Sequence, residues 1–220
     1  MFDRISPSYD RLNRLLSLGF DLSWRRKILK YLPNSKTLTL IDLATGSGDQ
    51  IFALASKHPF GSIQGFDLSE KMLFLALEKA KKKEIPASFQ LGSALAIPTD
   101  DETADIVTLS FGIRNMTDRK KCLREIHRIL KKDGSAYILD FSTPKNPLLK
   151  KLHNFYLTTM LPFLGGLLSK DRKSYEYLGS SIQAFPSPTA FATEIEESGF
   201  SEIKIIPIQF GIVTLYALKK

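Results

Sequence analysis

The run Leu40-Ile41-Asp42-Leu43-Ala44-Thr45-Gly46-Ser47-Gly48-Asp49 constrains this chain more than any other stretch. Its first half is apolar in the way of a strand buried on both faces, which is a property of parallel sheets. Gly46 and Gly48 let the backbone bend sharply and leave room for a ligand where a Cβ would stand. A helix is predicted to follow from Asp49. The next apolar run ends in Gln64-Gly65-Phe66-Asp67, which sets a carboxylate nineteen positions beyond Gly48. An acid at about that distance can reach a ribose diol. Together these residues predict a nucleoside cofactor at the carboxyl edge of a parallel sheet.

Which nucleoside depends on the residues around the turn. A dinucleotide fingerprint requires a third glycine three positions after Gly48, and Ile51 stands there. Asp42 precedes the turn and Asp49 lies inside it. Acids repel a pyrophosphate but attract the sulfonium and ammonium groups of S-adenosylmethionine. These residues favour adenosylmethionine over a degenerate dinucleotide site or a strand-turn-helix without ligand, and both alternatives stay open here.

The rest of the chain alternates. Strands are predicted over 39–44, 62–66, 87–91, 106–110 and 135–141. Helices are predicted over 49–57, from an N-cap at Ser69 through Lys83, and over 119–130 ending near Asp133-Gly134. Such alternation argues for a doubly wound parallel sheet. Residues 1–33 read as a helical cap, with Leu12, Leu15, Leu16, Trp24, Ile28 and Leu29 at helical spacing. Between residues 144 and 187 the alternation stops in favour of an apolar, aromatic stretch too long for a plain loop. It is expected to form a helical lid. A helix over 188–198 and an antiparallel strand pair over 202–208 and 211–218 close a single domain spanning 1–220.

Composition narrows the chemistry. One cysteine, Cys122, excludes an internal disulfide and a cysteine metal cluster. It sits among Leu123, Ile126 and Ile129 and is expected to pack in a core. His58, His127 and His153 show no ligand spacing, so no metal is expected; no residue stands out as a general base, and His153 in the lid is a candidate that reads first as a surface residue. The first 26 residues lack the apolar centre of a secretory signal. No 18-residue apolar run exists, and a cytoplasmic protein is expected. The net charge of +8 is compatible with nucleic acid, anionic lipid or solubility alone. Lys81-Lys82-Lys83 is expected at a helix C-terminus, where cations meet the dipole favourably.

Three further segments carry a resemblance: Phe2-Asp3-Arg4-Ile5-Ser6-Pro7-Ser8-Tyr9-Asp10, Ser110-Phe111-Gly112-Ile113-Arg114-Asn115-Met116-Thr117-Asp118, and Ser174-Tyr175-Glu176-Tyr177-Leu178. With Asp67-Leu68-Ser69-Glu70-Lys71-Met72-Leu73 they resemble the ubiquinone/menaquinone-biosynthesis C-methyltransferases, the UbiE/MenG family. The resemblance covers essentially the whole chain. It implies a class I S-adenosylmethionine-dependent methyltransferase fold, Rossmann-like, with a mostly parallel seven-stranded α/β sheet, an antiparallel C-terminal pair and a helical lid. It also implies C-methylation of a prenylated quinol, demethylmenaquinol before a benzoquinol precursor of ubiquinone.

Carried over by position, the resemblance puts the cofactor on Asp42, Gly46, Ser47, Gly48, Asp67, Leu68, Met72, Gly92, Ser93 and Ser110. Gly92 replaces the family's usual Asn, leaving adenine to backbone or Ser93. Glu176 stands where many members carry a basic residue. Phenol pKa is about 10, so a quinol must be helped toward its more nucleophilic phenolate. Arg114 is assigned to stabilise that charge, with Asn115 and Tyr9 orienting the quinol or a water. An Arg114–Asp118 ion pair, a capping role for Asn115 and core packing of Tyr9 are the structural alternatives. Leu157, Met160, Leu161, Phe163, Leu164, Leu167 and Leu168 suit either an isoprenoid tail or a core. Peripheral contact with a membrane surface is expected and nucleic acid is not, because no aromatic-basic interleave is present. An RNA or other small-molecule methyltransferase and a non-enzymatic adenosylmethionine-binding protein remain the other classes.

Overall fold

The computed structural model describes Arg14, Ser17, residues 19–169 and residues 172–220. Seven strands form one sheet: β1 (Thr39–Leu43), β2 (Ser62–Asp67), β3 (Ser88–Leu91), β4 (Ala104–Ser110), β5 (Leu130–Phe141), β6 (Glu202–Ile208) and β7 (Val213–Lys219). Their order is β3-β2-β1-β4-β5-β7-β6. The first five are parallel, and β7 runs antiparallel between β5 and β6. The β6–β7 turn passes through Gln209–Gly211, as the shortness of that segment predicts.

The central strands alternate their apolar side chains between two cores. Ile41, Val107, Leu109 and Ile138 face one, and Leu40, Ile106, Tyr137 and Leu139 face the other. The period of two follows from the pleat, and both faces need cover. Helices α4 (Arg119–Ile129) and α8 (Pro188–Glu196) cover the first through Leu123, Ile126, Ile129, Phe191 and Ile195. Cys122 is fully buried among them, and burial pushes its thiol up to about 12, so it is an inert packing group. Helices α1 (Phe20–Arg26), α2 (Asp49–Ala55) and α3 (Glu70–Lys83) cover the second through Trp24, Ile51, Leu54 and Ala80. Ser69 caps α3 by accepting from the Met72 amide, and Lys81, Lys82 and Lys83 fill its last turn.

Most predicted bounds differ by one or two residues, and one differs by more. The strand expected from Ser135 begins at Leu130, because Ala104 pairs with Leu130 before an irregularity and Ile106 with Ser135 after it. Asp133, at φ 62°, takes up the offset between them. At the N-terminus, α1 and the short 3-10 turn Lys27–Lys30 form the described part of the expected cap. Leu12, Leu15 and Leu16 lie outside the described residues.

The segment 144–187 is helical as expected. Helix α5 (Pro147–Phe155) runs through a π-helical turn, Tyr156–Met160, into α6 (Leu161–Ser169), and α7 (Arg172–Ala184) packs back on them. Leu157, Leu161, Tyr175 and Ile182 form a small core separate from the two on the sheet. Gly179 makes the approach possible, since a Cβ there would stand 2.6 Å from the Leu157 carbonyl oxygen. Among the described residues no helix is long and apolar enough to cross a membrane.

The turn after β1 depends on Gly48. Its φ is 81°, and a Cβ would meet the Phe52 ring at 2.7 Å. Gly48→Ala should therefore cost about 1–3 kcal/mol from overpacking, read as a lower urea midpoint. An unchanged midpoint would refute this account of the turn.

Candidate active site

Strands β1 and β4 are neighbours, but their following segments leave toward different faces. A crevice opens there at the carboxyl edge. Asp42 is fully buried at its base and accepts two hydroxyl hydrogen bonds at 2.6 Å each, from Thr45 and from Thr108. Thr108 is its register partner on β4. Burial is the main cause that pushes the Asp42 carboxyl up to about 6, against the lowering effect of these bonds and of the Arg25 charge.

Asp67 ends β2 and clamps the turn. One oxygen accepts from the Gly46 amide at 2.8 Å and the other from the Ser69 amide at 2.9 Å. Thr45 donates its amide to the Phe66 carbonyl, drawing the turn onto β2. Ala44 adopts φ 49° as it leaves β1, a conformation costing a non-glycine residue about 1–3 kcal/mol. Asp49 is not a free acid. Lys79 bonds it at 3.0 Å and the Ser47 hydroxyl at 2.9 Å, and Arg14 stands 3.7 Å away. Its charge is largely neutralised, as is that of Asp21, which pairs with Arg14 at 3.1 Å, and Asp42 is the lining carboxylate without an ion pair among the described residues.

The β4 side is built from Ser110 to Asn115. The Ser110 hydroxyl donates to the Gln50 amide oxygen at 2.8 Å. Phe111 turns at φ 59°. Arg114 does not pair with Asp118, which instead caps α4 by accepting from the Lys121 amide. Its Nη1 donates to Asp140 at 2.7 Å and to the Phe111 carbonyl at 2.6 Å. Both side chains are buried, and Arg114 Nε has no partner. The pairing arises because β4 and β5 run side by side, bringing Asp140 to the turn after β4.

Aromatic rings line this corner. Phe111 and Phe141 lie 4.9 Å apart, with Trp24 about 6 Å from each. The Arg25 guanidinium sits over Phe111 at 5.0 Å and that of Arg114 over Phe141 at 5.3 Å. Trp24 is anchored by donating to Gln209 at 2.9 Å. Arg25 thus faces inward, while its neighbour Arg26 is exposed.

The helices of 144–187 roof the crevice and enclose a cavity of about 890 Å³. Its floor includes Asp42, Gly46, Ser47, Ser110, Arg114 and Asn115, and its roof includes His153, Tyr156, Leu157, Leu161, Leu164 and Leu178. Tyr177 of the roof donates to Asn115 of the floor at 3.3 Å. Glu176 faces outward and pairs with Arg172, so it takes no part in the cavity. His153 is not a surface residue: it is 8% exposed, lines the cavity, and its Nδ1 is buried without a partner. Burial holds its imidazole below the usual histidine range. The helical spacing that exposes Leu148 and Leu152 turns His153 inward.

The expected cofactor residues therefore fall into two groups. Asp42, Gly46, Ser47 and Ser110 line the cavity. Gly48, Asp67, Leu68, Met72, Gly92 and Ser93 do not. A Cβ on Gly46 would meet Met72, and the Gly92 amide donates to the Asp67 carbonyl. Leu68 is 73% exposed beside Asp67. Ser93 bends its own loop by accepting from the Leu95 amide. Tyr9 lies outside the described residues. Gln50, Arg25 and Asp140 carry roles that the sequence reading does not assign, and His153 lies inside where a surface position is expected. Gln50, one residue after the Gly-Ser-Gly-Asp turn, carried the nearest thing to a signal.

Removing Arg114 would strand Asp140 as a buried charge. Arg114→Met should cost about 3–5 kcal/mol of unfolding free energy, and adding Asp140→Leu should recover most of it. A single variant as stable as the parent in denaturant titrations would show that the pair holds nothing.

The model of the ubiE/COQ5 methyltransferase family matches residues 1–220. The ubiquinone/menaquinone biosynthesis C-methyltransferase UbiE of Geotalea uraniireducens is 43% identical, over 100% of this chain and 94% of its own length. The demethylmenaquinone methyltransferase of Bacteroides fragilis is 40% identical, over 100% and 91%. Among solved structures, a putative S-adenosyl-L-methionine-dependent methyltransferase from Methanococcus maripaludis superposes with a TM-score of 0.69. It is 22% identical, with 98% of this chain and 91% of the other covered, which supports the fold. By its full-length match, its strand order and its identity to these relatives, the chain belongs to the ubiE/COQ5 methyltransferase family.

Proposed function

We propose that this protein transfers a methyl group from S-adenosylmethionine to a ring carbon of a prenylated quinol, with demethylmenaquinol as the acceptor. The observation that carries this reading is the continuity of one cavity. It joins an acid-floored glycine turn, suited to a cationic nucleoside, to an apolar roof suited to an isoprenoid. Relatives named for both menaquinone and ubiquinone biosynthesis support the quinol class.

The residues fit the cofactor. Asp42 offers a buried carboxylate to a positive centre, and Gly46 and Ser47 present the turn. Asp67 retains lone pairs beyond its two amide bonds and would use them to hold the ribose diol. Leu68, exposed next to Asp67, would offer adenine an apolar surface, with Gly92 and Ser93 following β3 at the same sheet edge. Gly48 and Met72 shape the turn, and Ser110 with Gln50 closes the floor. Bound there, the cofactor supplies an electrophilic methyl group on sulfonium.

For the acceptor, Arg114 faces the cavity as a fixed cation that would stabilise the developing phenolate. One such charge-assisted bond contributes about 1.5–3 kcal/mol. Because Asp140 and the Phe111 carbonyl hold the guanidinium in advance, little reorganisation is needed at the moment of reaction. Asn115, bonded to Tyr177, would orient the ring and sense roof closure. Leu148, Leu152, Phe155 and Phe163 expose an apolar stripe on the roof, beside exposed Lys150 and Lys151. That stripe supports peripheral contact with an anionic bilayer, from which a lipophilic quinol would be drawn.

Incubation with labelled adenosylmethionine and reduced, short-tailed demethylmenaquinone or a demethylated benzoquinol should label the naphthoquinol preferentially. Transfer to neither would overturn the reading. Cofactor affinity should also follow Asp42. Its carboxyl is anionic above about pH 6 and neutral below. Calorimetric affinity for adenosylmethionine should therefore fall roughly tenfold from pH 7 to pH 5. Asp42→Asn should bind weakly at both; a variant that keeps the wild-type pH dependence would exclude Asp42 as the cause.

A further inference from the structure

We propose that His153 is the base that takes the hydroxyl proton of the quinol, an inference that rests on the quinol reading of the cavity. His153 sits on the last turn of α5, immediately before the π-helical turn, and its ring lines the cavity roof. The ring's Nδ1 is buried and makes no hydrogen bond, which leaves Nε2 as the nitrogen open to a ligand. A substrate hydroxyl would meet the ring at Nε2.

The other groups in the cavity are poor acceptors. Among the described lining residues the carboxylates are Asp21, Asp42 and Asp49. Ser17 donates to Asp21, two threonines donate to Asp42, and Lys79 holds Asp49. Arg25 and Arg114 carry no lone pair to receive a proton. Tyr156, Tyr175 and Tyr177 present phenol O–H groups, which donate rather than accept a proton, and burial raises Tyr156 above the usual phenol range. Burial keeps the His153 imidazole in its neutral, accepting form near pH 7. Arg114 and His153 would then divide the work, one holding negative charge and the other holding the proton.

The step balances. The hydroxyl proton passes to the imidazole, and the O–H pair stays on oxygen as phenolate. The adjacent ring carbon gives an electron pair to the methyl carbon while the C–S bond breaks with its pair onto sulfur. The proton on that ring carbon leaves to water, the ring regains aromaticity, and the imidazolium returns its proton to oxygen. One proton is released per methyl group transferred.

The test uses the full chain and reduced demethylmenaquinone with a short tail. Wild-type protein that methylates no quinol overturns the functional reading itself. Given wild-type turnover, His153→Gln should lower kcat at pH 7 by on the order of 100-fold, with calorimetric adenosylmethionine affinity unchanged. Saturating cofactor keeps Asp42 out of the profile, so the acid limb of kcat should vanish in the variant. A loss under tenfold, or a limb that persists, overturns the proposal. If the variant does not fold, the wild type still decides. Its His153 ring-proton resonances, followed by NMR without cofactor, should titrate below free histidine and shift when the quinol is added. A ring that ignores the quinol overturns the proposal equally.

Discussion

Three carboxylates hold the carboxyl edge of this sheet, and the site depends on them. A parallel strand must hand its chain to a helix on one face, and each hand-over leaves backbone donors unpaired. Asp67 satisfies two of these at once, on Gly46 and Ser69, and so fixes the glycine turn against β2. Asp42 ties β1 to β4 through Thr108, and Asp140 ties β5 to the turn after β4 through Arg114. The acids also set the polarity of the floor. One is spent on amides, one on a guanidinium, and Asp42, bonded only to neutral hydroxyls, keeps its charge available for a cation.

Above that floor the physics changes. The roof helices pack around their own small core of Leu157, Leu161, Tyr175 and Ile182. The roof core meets the sheet through Phe141, which packs against both, and Tyr177 bonds Asn115 across the cavity. The π-helical turn breaks the regular bonding of a long helix where Tyr156, Leu157 and Met160 meet the cavity, a deviation typical of functional positions. The cavity is thus polar and prearranged below, apolar and adaptable above. That division suits a reaction whose cofactor is charged and whose acceptor is a lipid.

Local chemistry made much of this readable in the sequence. Alternating apolar runs and glycines place β1, β2, β4 and the turn, because buried strands and left-handed turns restrict residue choice wherever they occur. Ser69 as a cap, Lys81 to Lys83 at a helix end and Cys122 in a core follow from the same local rules. Arg114 was picked out as a cation at the right edge, but its partner was not Asp118. The i, i+4 spacing suggested that pair, whereas strand adjacency supplied Asp140 from 26 positions away. His153 reads as a surface residue among Lys150, Lys151 and Asn154, since the helical face that turns inward is decided only by what the helix packs against.

The sequence by itself determined the sheet, the glycine turn, the acid at the end of β2 and the family to which the chain belongs. These rest on backbone constraints and residue spacings that span at most a few tens of positions. Tertiary structure alone decided which acids are spent and which remain charged, which arginine enters the cavity, and that a histidine faces the floor. Those outcomes depend on burial and on partners brought together from distant strands and helices. Burial and partner identity are what set a proton's affinity for a side chain, and neither exists until the chain is folded.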